Sequence, residues 1–131
     1  MNKTYNVDAF GLPEWAVSQI AALGVQQMPL NYSGHAMREA INDRYGILPA
    51  AAFPKVFKWA DNWSIVEVET ASTTHRPRIL TKFVVRRAVD ANRSLVLVIA
   101  QDGLDWNVKT LWTNLNNDQH ATLDKSKFEK P

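Results

Sequence analysis

The feature that most constrains the fold is a change of hydrophobic period near residue 64. Residues 64–70 alternate apolar and polar side chains, residues 79–87 are rich in β-branched side chains, and residues 94–100 form a nearly continuous apolar run. An Asp-Gly-Leu-Asp turn at residues 102–105 precedes a fourth strand-like segment at residues 106–114. These patterns are typical of β-strands and of the turns that join them. We therefore predict an antiparallel meander, a sheet of four strands or more.

The residues ahead of this sheet have helical signals. A first helix is predicted from Pro13, which suits a first helical position, to Leu23, with Gly24 as the C-cap. A second helix is predicted from Ser33, a good N-cap, until Gly46 ends it. The fold class expected is α+β, with N-terminal helices packed on the antiparallel sheet.

The chain length and composition predict one domain over residues 1–131. Within it, residues 1–30 form an N-terminal helical segment and residues 31–131 form a helix and the sheet, while residues 50–62 fit either a short helix or a turn-rich connector. No apolar run approaches the roughly 20 residues that a membrane helix needs. The N-terminus lacks a secretory pattern and the chain has no cysteine, so we expect a cytoplasmic protein without membrane partners.

The net charge of +2 conceals a segregation of charge along the chain. Up to residue 70, five basic residues stand against seven acidic ones. Residues 76–93 hold six basic residues opposed only by Asp90, namely Arg76, Arg78, Lys82, Arg86, Arg87 and Arg93. Such a density attracts a polyanion. The alternative is a solvated strand pair whose arginines keep a sheet edge soluble.

Histidines are the first candidates for acid–base chemistry. His35 shares a helical stripe with Arg38 and Asn42, so its imidazole could act as a general base or acid, or instead line the helix N-terminus. His120 lies among turn-forming residues, where its ring either takes part in catalysis or binds nearby backbone. His75 falls in a predicted hairpin loop, and we expect it to be exposed.

Two predicted strands present polar side chains that suit RNA. Lys82 and Arg86 share the face opposite the more apolar side chains of their strand, and we expect them to lie close enough to hold one phosphate. Thr110, Trp112 and Asn114 share a face of the last strand. If that face points at a cleft, Trp112 stacks on a base and Thr110 bonds to phosphate. If it points inward, Trp112 belongs to the core.

Other chemistries lack their signatures. The histidines and acidic residues have no metal-ligand spacing, and neither a phosphate-cradling glycine loop nor a nucleophile elbow occurs, so we expect no cofactor. Ribose carries its own nucleophile. Cleavage of RNA therefore needs only a base for the 2′-hydroxyl, an acid for the leaving oxygen and cations for the phosphorane.

Two stretches together resemble a known superfamily. Residues 32–46, Tyr-Ser-Gly-His-Ala-Met-Arg-Glu-Ala-Ile-Asn-Asp-Arg-Tyr-Gly, resemble the Ser-x-His-Ala-x-x-Arg helix of small ribonuclease-like domains, although here one residue rather than two separates Ala36 from Arg38. Residues 108–128 include Asn-Asp-Gln-His-Ala-Thr-Leu-Asp-Lys-Ser-Lys and resemble the closing strand and tail of the same domains. This group is the barnase, EndoU, colicin and RelE-like ribonuclease superfamily, and its phage-encoded branch is the most similar. The resemblance covers residues 30–131 and leaves the first 30 unmatched.

The resemblance implies metal-free cleavage of RNA, tRNA among the possible targets, to a 2′,3′-cyclic phosphate. It also implies that four residues surround one catalytic site: His35, Arg38, Thr110 and His120. The side chains expected to contact phosphate or bases are Lys82, Arg86, Trp112, Asn114 and Lys125. Because catalytic residues diverge within the superfamily, the resemblance does not assign the base and the acid.

Three functions follow as hypotheses. The first is a metal-independent endoribonuclease, a phage or toxin effector acting in the host cytoplasm, in which His35 and His120 converge as an acid and base pair whose individual roles stay open. The second is a noncatalytic phage protein of the same fold that binds nucleic acid or a host protein, for example as an inhibitor, with histidines apart or locked in structural bonds. The third is a virion component that uses exposed aromatic side chains at an interface. A cognate inhibitor is a further expected partner of the ribonuclease.

Overall fold

The structure, a computed structural model, describes residues 2–6, 11–41 and 53–116 of the 131-residue chain. Its helices are α1, Glu14–Val25, and α2, Gly34–Ile41, with a 3-10 helix at Trp59–Asp61. Its strands are β1 Asn2–Asn6, β2 Met28–Pro29, β3 Asn31–Tyr32, β4 Val56–Phe57, β5 Ser64–Ala71, β6 Ile79–Ala88, β7 Arg93–Asp102 and β8 Asp105–Leu115. Neither described helix combines the length and the apolar character that crossing a bilayer requires.

The predicted meander forms the centre of a six-stranded sheet of order β1-β5-β6-β7-β8-β3. Strands β5 to β8 are consecutive and antiparallel, which confirms that part of the prediction and the α+β class. The sheet is nevertheless mixed rather than antiparallel, because β3 pairs parallel to β8. Strands β2 and β4 form a separate two-stranded sheet.

Residues 1–30, expected as an N-terminal helical segment, contain two short strands besides helix α1. Strand β1, Asn-Lys-Thr-Tyr-Asn, pairs antiparallel with β5 and places Thr4 opposite Glu69. Its sequence is polar and poor in strand-forming residues, so its conformation comes from pairing with the edge of β5 rather than from propensity. Strands as short as β2 and β3 leave no periodic signal.

The main core lies between the two helices and one face of the sheet. Side chains that alternate along the central strands are buried there, including Phe83 and Val85 of β6 and Leu95, Leu97 and Ile99 of β7. Fully burying a side chain of this size stabilises a fold by about 1.5 to 3 kcal/mol. The helices contribute small or branched residues to this core, namely Ala16, Ile20, Ala36 and Ala40.

A second apolar cluster lies on the other face of the same sheet. Val66, Val84 and Val96 are buried there, with Val98 and Trp112 packed against them. Apolar side chains on both faces account for the nearly continuous apolar run at residues 94–100, since a strand with one exposed face would alternate.

Helix α1 continues past its predicted end. Gly24 is not the C-cap but a buried helical residue, and the cap is Gln26. A Cβ on Gly24 would lie 2.8 Å from the Trp59 Cβ and 2.9 Å from the Trp59 backbone nitrogen. The absence of a side chain therefore lets α1 pack directly against the 3-10 helix.

Helix α2 begins as predicted. The Ser33 Oγ accepts a hydrogen bond from the Ala36 N–H at 3.0 Å, which is the N-cap interaction, and donates one to the Lys109 carbonyl at 3.0 Å. The predicted continuation to Gly46, with Asn42 on the stripe of His35, lies outside the described residues.

The connector ahead of β5 combines β4 with the 3-10 helix over its described part. Arg87, at the end of β6, holds this connector against the sheet. Its guanidinium lies 4.6 Å from the Trp63 ring centroid, and its Nη1 is 3.2 Å from a carboxylate oxygen of Asp61. Nearby, the Tyr32 hydroxyl donates to the Pro54 carbonyl at 2.6 Å, and burial raises the pKa of Tyr32.

Replacing Gly24 tests the contact between α1 and the 3-10 helix. Gly→Ala at an ordinary helix interior stabilises by about 0.5 to 1 kcal/mol. We expect Gly24→Ala instead to lower the free energy of unfolding by about 1 to 3 kcal/mol, because the added methyl meets Trp59 backbone. Urea denaturation measures the change.

The matched control for that substitution is Gly34→Ala. Gly34 begins α2, and the nearest atom to an added Cβ is the flexible end of Arg38, at 3.4 Å. We expect this variant to stay within about 1 kcal/mol of the wild type. A Gly24→Ala protein as stable as Gly34→Ala would contradict the close packing.

Asp90 organises the turn between β6 and β7. Its Oδ1 accepts the Asn92 and Arg93 N–H groups at 2.8 and 2.7 Å, and these bonds, followed by the Arg93 side chain, hold the pKa of Asp90 below its usual range. A carboxylate with a lowered folded-state pKa stabilises the fold above its unfolded pKa, near about 4. That contribution is lost as the pH falls through the folded-state value.

Asp90→Asn should therefore make the stability of the protein depend less on pH below about pH 4. The amide oxygen can accept the same two backbone N–H bonds but does not titrate in this range. We expect the fall of wild-type Tm between about pH 4 and pH 2 to be smaller in Asp90→Asn. If Tm falls equally in the two proteins over that range, protonation of Asp90 is not the cause of the loss of stability at low pH.

Candidate functional site

An irregularity in β8 shapes the candidate site. The register with β7 shifts between Val98 and Ile99, whose partners are Thr110 and Val108, so Lys109 is an extra residue on β8. Bulges of this kind redirect side chains and are frequent next to active sites. Strand β3 pairs with β8 only at Asn107 and Val108, and α2 lies against β8 beyond that point.

Glu39 of α2 connects the helix to this edge. Its Oε1 accepts hydrogen bonds from the Thr110 hydroxyl and from the Leu111 N–H, the latter at 3.2 Å. The same oxygen lies 3.3 Å from the Nε2 of His35, one helical turn earlier. We call His35, Glu39 and Thr110 the His35 cluster.

The members of the His35 cluster differ in exposure. The His35 side chain is 58% exposed and the Glu39 side chain only 14%. The carboxylate is therefore shielded and held by two protein donors, while the imidazole remains accessible to a ligand. Because Nε2 faces Glu39 at 3.3 Å, Nδ1 is the ring nitrogen left for proton transfer, the arrangement in which a carboxylate orients a general base.

Arg38 brings a cation to the same helical turn. Its Nη1 lies 3.4 Å from the point that a Cβ on Gly34 would occupy, so the side chain folds back toward the start of α2. The guanidinium thus lies beside the residue that precedes His35. The structure brings together His35, Arg38 and Thr110, three of the four residues expected at the catalytic site.

The other predicted site residues of the described strands share the second face of the sheet, namely Lys82, Arg86, Trp112 and Asn114. Arg86 pairs with Val96, which pairs with Trp112, and Val84, Val98 and Thr110 form the adjacent row. The β8 side chains in these rows therefore lie on the face opposite the helices. Trp112 packs against the second apolar cluster, and Asn114 on the same face is fully buried.

The expected pairing of Lys82 and Arg86 on one phosphate is wrong in its spacing. The two residues are four apart in the uninterrupted strand β6, a separation of about 13 Å. Each also has a protein contact. The Lys82 Nζ lies 3.6 Å from a Glu69 carboxylate oxygen, and the buried Arg86 donates from Nη2 to the Leu115 carbonyl at 2.8 Å.

Most basic residues of the segment 76–93 contact other groups of the same chain. Four of its six bases interact with carboxylates or backbone carbonyls, namely Lys82, Arg86, Arg87 and Arg93. Arg76 and Arg78 are exposed in the loop between β5 and β6, and no carboxylate in the described ranges lies within ion-pair distance of either. His75 of the same loop is exposed, as predicted.

Two residues predicted for the site, His120 and Lys125, fall outside the described part of the chain. Their roles stay predictions. Within residues 2–6, 11–41 and 53–116, no group of three His, Asp or Glu side chains is placed to hold a metal ion.

Glu39 was not among the residues predicted for the site. Its position four residues after His35 on one helical stripe is the signal that could have indicated it.

Comparisons with known proteins add nothing to this geometry. No protein-family model matches the chain, and no curated protein or solved structure is significantly similar to it.

Truncating Glu39 tests the connection between α2 and β8. Glu39→Ala removes the acceptor of the Leu111 N–H and the Thr110 hydroxyl. We expect it to lower the free energy of unfolding by about 1 to 3 kcal/mol, the usual cost of leaving shielded donors unsatisfied. His35→Ala is the control, since its exposed side chain should cost about 0.5 kcal/mol or less. Equal losses in the two variants, measured by urea denaturation, would contradict a structural role for Glu39.

Proposed function

We propose that the chain is a metal-independent endoribonuclease of the phage or toxin effector type, which cleaves RNA through its own 2′-hydroxyl. The observation that carries the proposal is the accessible imidazole of His35 held by the shielded carboxylate of Glu39. An oriented, accessible imidazole is the commonest general base in proteins. The resemblance of residues 32–46 to ribonuclease-like domains points in the same direction.

In the proposed reaction, His35 removes the proton of the ribose 2′-hydroxyl. The 2′-oxygen then attacks the adjacent phosphorus, and the bond from phosphorus to the 5′-oxygen breaks. The products are a 2′,3′-cyclic phosphate and a 5′-hydroxyl end, and the leaving oxygen takes a proton from an acid. We assign that acid to His120, the other histidine that the resemblance implies for the site, because His35 acts as the base in this scheme.

Glu39 and Arg38 have supporting roles in this scheme. Glu39 positions His35 and stabilises the imidazolium that proton transfer creates. Arg38 supplies positive charge for the phosphorane from the same helical turn. The Thr110 hydroxyl donates to Glu39, so we assign it to holding that carboxylate rather than to binding phosphate.

A noncatalytic function is the second candidate, and one observation favours it. Lys82 and Arg86, the cations expected to support the phosphate, both contact protein groups. A sheet whose basic residues stabilise the fold retains less charge for a transition state. The chain would then bind nucleic acid or a host protein without cleaving RNA.

Incubation with RNA in excess EDTA tests the proposal. Wild type should cleave total RNA or a defined tRNA and leave 2′,3′-cyclic phosphate ends, identified by end-group analysis. Loss of the general base in His35→Ala should slow cleavage by about 100-fold or more. His75→Ala is the matched control, because that exposed histidine lies in the loop between β5 and β6 and should leave the rate unchanged.

Two results would overturn the ribonuclease. Intact RNA at high protein concentration would exclude cleavage of the RNAs tested and favour the binding function. Cleavage that proceeds equally in wild type and His35→Ala would show that the His35 cluster is not the site. Glu39→Gln separates the two roles within the cluster, since it can keep an acceptor for Leu111 while removing the charge beside His35.

A further inference from the structure

An open groove lies between α1 and the loop that joins β5 to β6. Its volume is about 260 Å³. Polar side chains from separate parts of the chain line it: Gln19 of α1, Arg76 and Arg78 of the loop, Gln101 of β7 and Trp106 of β8. We call it the Arg76–Arg78 groove.

The loop that carries the arginines is held by its own hydrogen bonds. The Thr73 N–H donates to the Arg76 carbonyl at 2.8 Å, and the Arg76 N–H donates to the Thr73 Oγ1 at 2.9 Å. These reciprocal bonds position the start of the Arg-Pro-Arg segment. Pro77 restricts the backbone between the arginines, so both are presented beside one groove.

The charge of this groove distinguishes it from the rest of the basic segment. The other four bases of that segment interact with carboxylates or carbonyls. Arg76 and Arg78 have no ion pair within the described ranges, and both are exposed. The polyanion attraction inferred from the sequence therefore concentrates here rather than on β6.

Aromatic and amide groups of the groove add a second kind of recognition. The Trp106 ring packs on Phe83 with centroids 5.4 Å apart and remains partly exposed where it lines the groove. Guanidinium groups bind phosphate, aromatic rings stack on unpaired bases, and amides bond to base edges. An acidic peptide would satisfy the arginines and the two amides, so the ring of Trp106 is the group that favours a base.

We propose that the Arg76–Arg78 groove binds a nucleotide of single-stranded RNA, with phosphate on the arginines and the base against Trp106. The choice of RNA rests on the proposed function. Trp106 of the groove lies on the core face of β8 and Thr110 of the His35 cluster lies on the opposite face, because Lys109 is an extra residue between them.

Binding of a fluorescein-labelled 2′-O-methyl RNA of about 12 nucleotides tests the proposal by anisotropy. This RNA lacks the attacking hydroxyl, so binding is measured apart from cleavage. The variant Arg76→Ala/Arg78→Ala should raise Kd at least tenfold. Because each phosphate neutralised on a single strand contributes about 0.7 to the slope of log K against log salt, loss of this one phosphate contact should lower the slope by about 0.7.

The matched control is Lys55→Ala/Lys58→Ala, which removes the same charge from exposed positions outside the groove. It should change Kd less than twofold. Equal weakening by the two double variants would overturn the groove and leave general attraction to a basic protein. Inorganic polyphosphate competing as well as RNA would overturn the base contact, and preferential binding of poly-glutamate would identify a surface for acidic protein.

The groove and the ribonuclease fail in different ways. If RNA is never cleaved but Arg76→Ala/Arg78→Ala loses binding, RNA binding by the groove is supported and the ribonuclease proposal is contradicted. If RNA is cleaved but the arginine variant binds normally, the ribonuclease proposal is supported and RNA binding by the groove is contradicted.

Discussion

The attachment of α2 to the exposed edge of β8 is the contact on which the rest of the structure depends. A strand edge beyond its last neighbour leaves backbone groups unpaired and invites association with other chains. Here the Ser33 N–H and hydroxyl donate to the carbonyls of Val108 and Lys109, and Glu39 accepts from the Leu111 N–H. The helix thus takes the place of a neighbouring strand, and its buried alanines close the core behind it.

The candidate site results from the attachment of α2 to β8. The carboxylate that satisfies β8 also contacts His35, so one side chain serves both stability and the orientation of the imidazole. The extra residue in β8 places Thr110 within reach of the same oxygen. Changes to Glu39 will therefore combine effects on folding and on chemistry, which is why its alanine and glutamine variants have to be read together.

The basic segment shows how contacts redistribute a charge pattern. Its six positive charges in 18 residues suggested a phosphate-binding strand. Arg87 instead packs on Trp63 and pairs with Asp61, and Arg86 is buried with its Nη2 on a backbone carbonyl. Of the six basic residues in this segment, all within the described part of the chain, Arg76 and Arg78 are the exposed ones. The function of a charge depends on its neighbours, and sequence order does not report them.

The sequence by itself determined the elements whose signals are local. Alternation and turn residues specified the four-stranded meander, and Ser33 marked the start of α2. Tertiary structure alone decided the pairings of β1 and β3, the burial of Gly24 against Trp59 and the role of Glu39. Each of these depends on a partner distant along the chain, 65 residues away for Thr4 and Glu69. Local propensity is encoded within a few residues, whereas such pairings form only when the whole core closes.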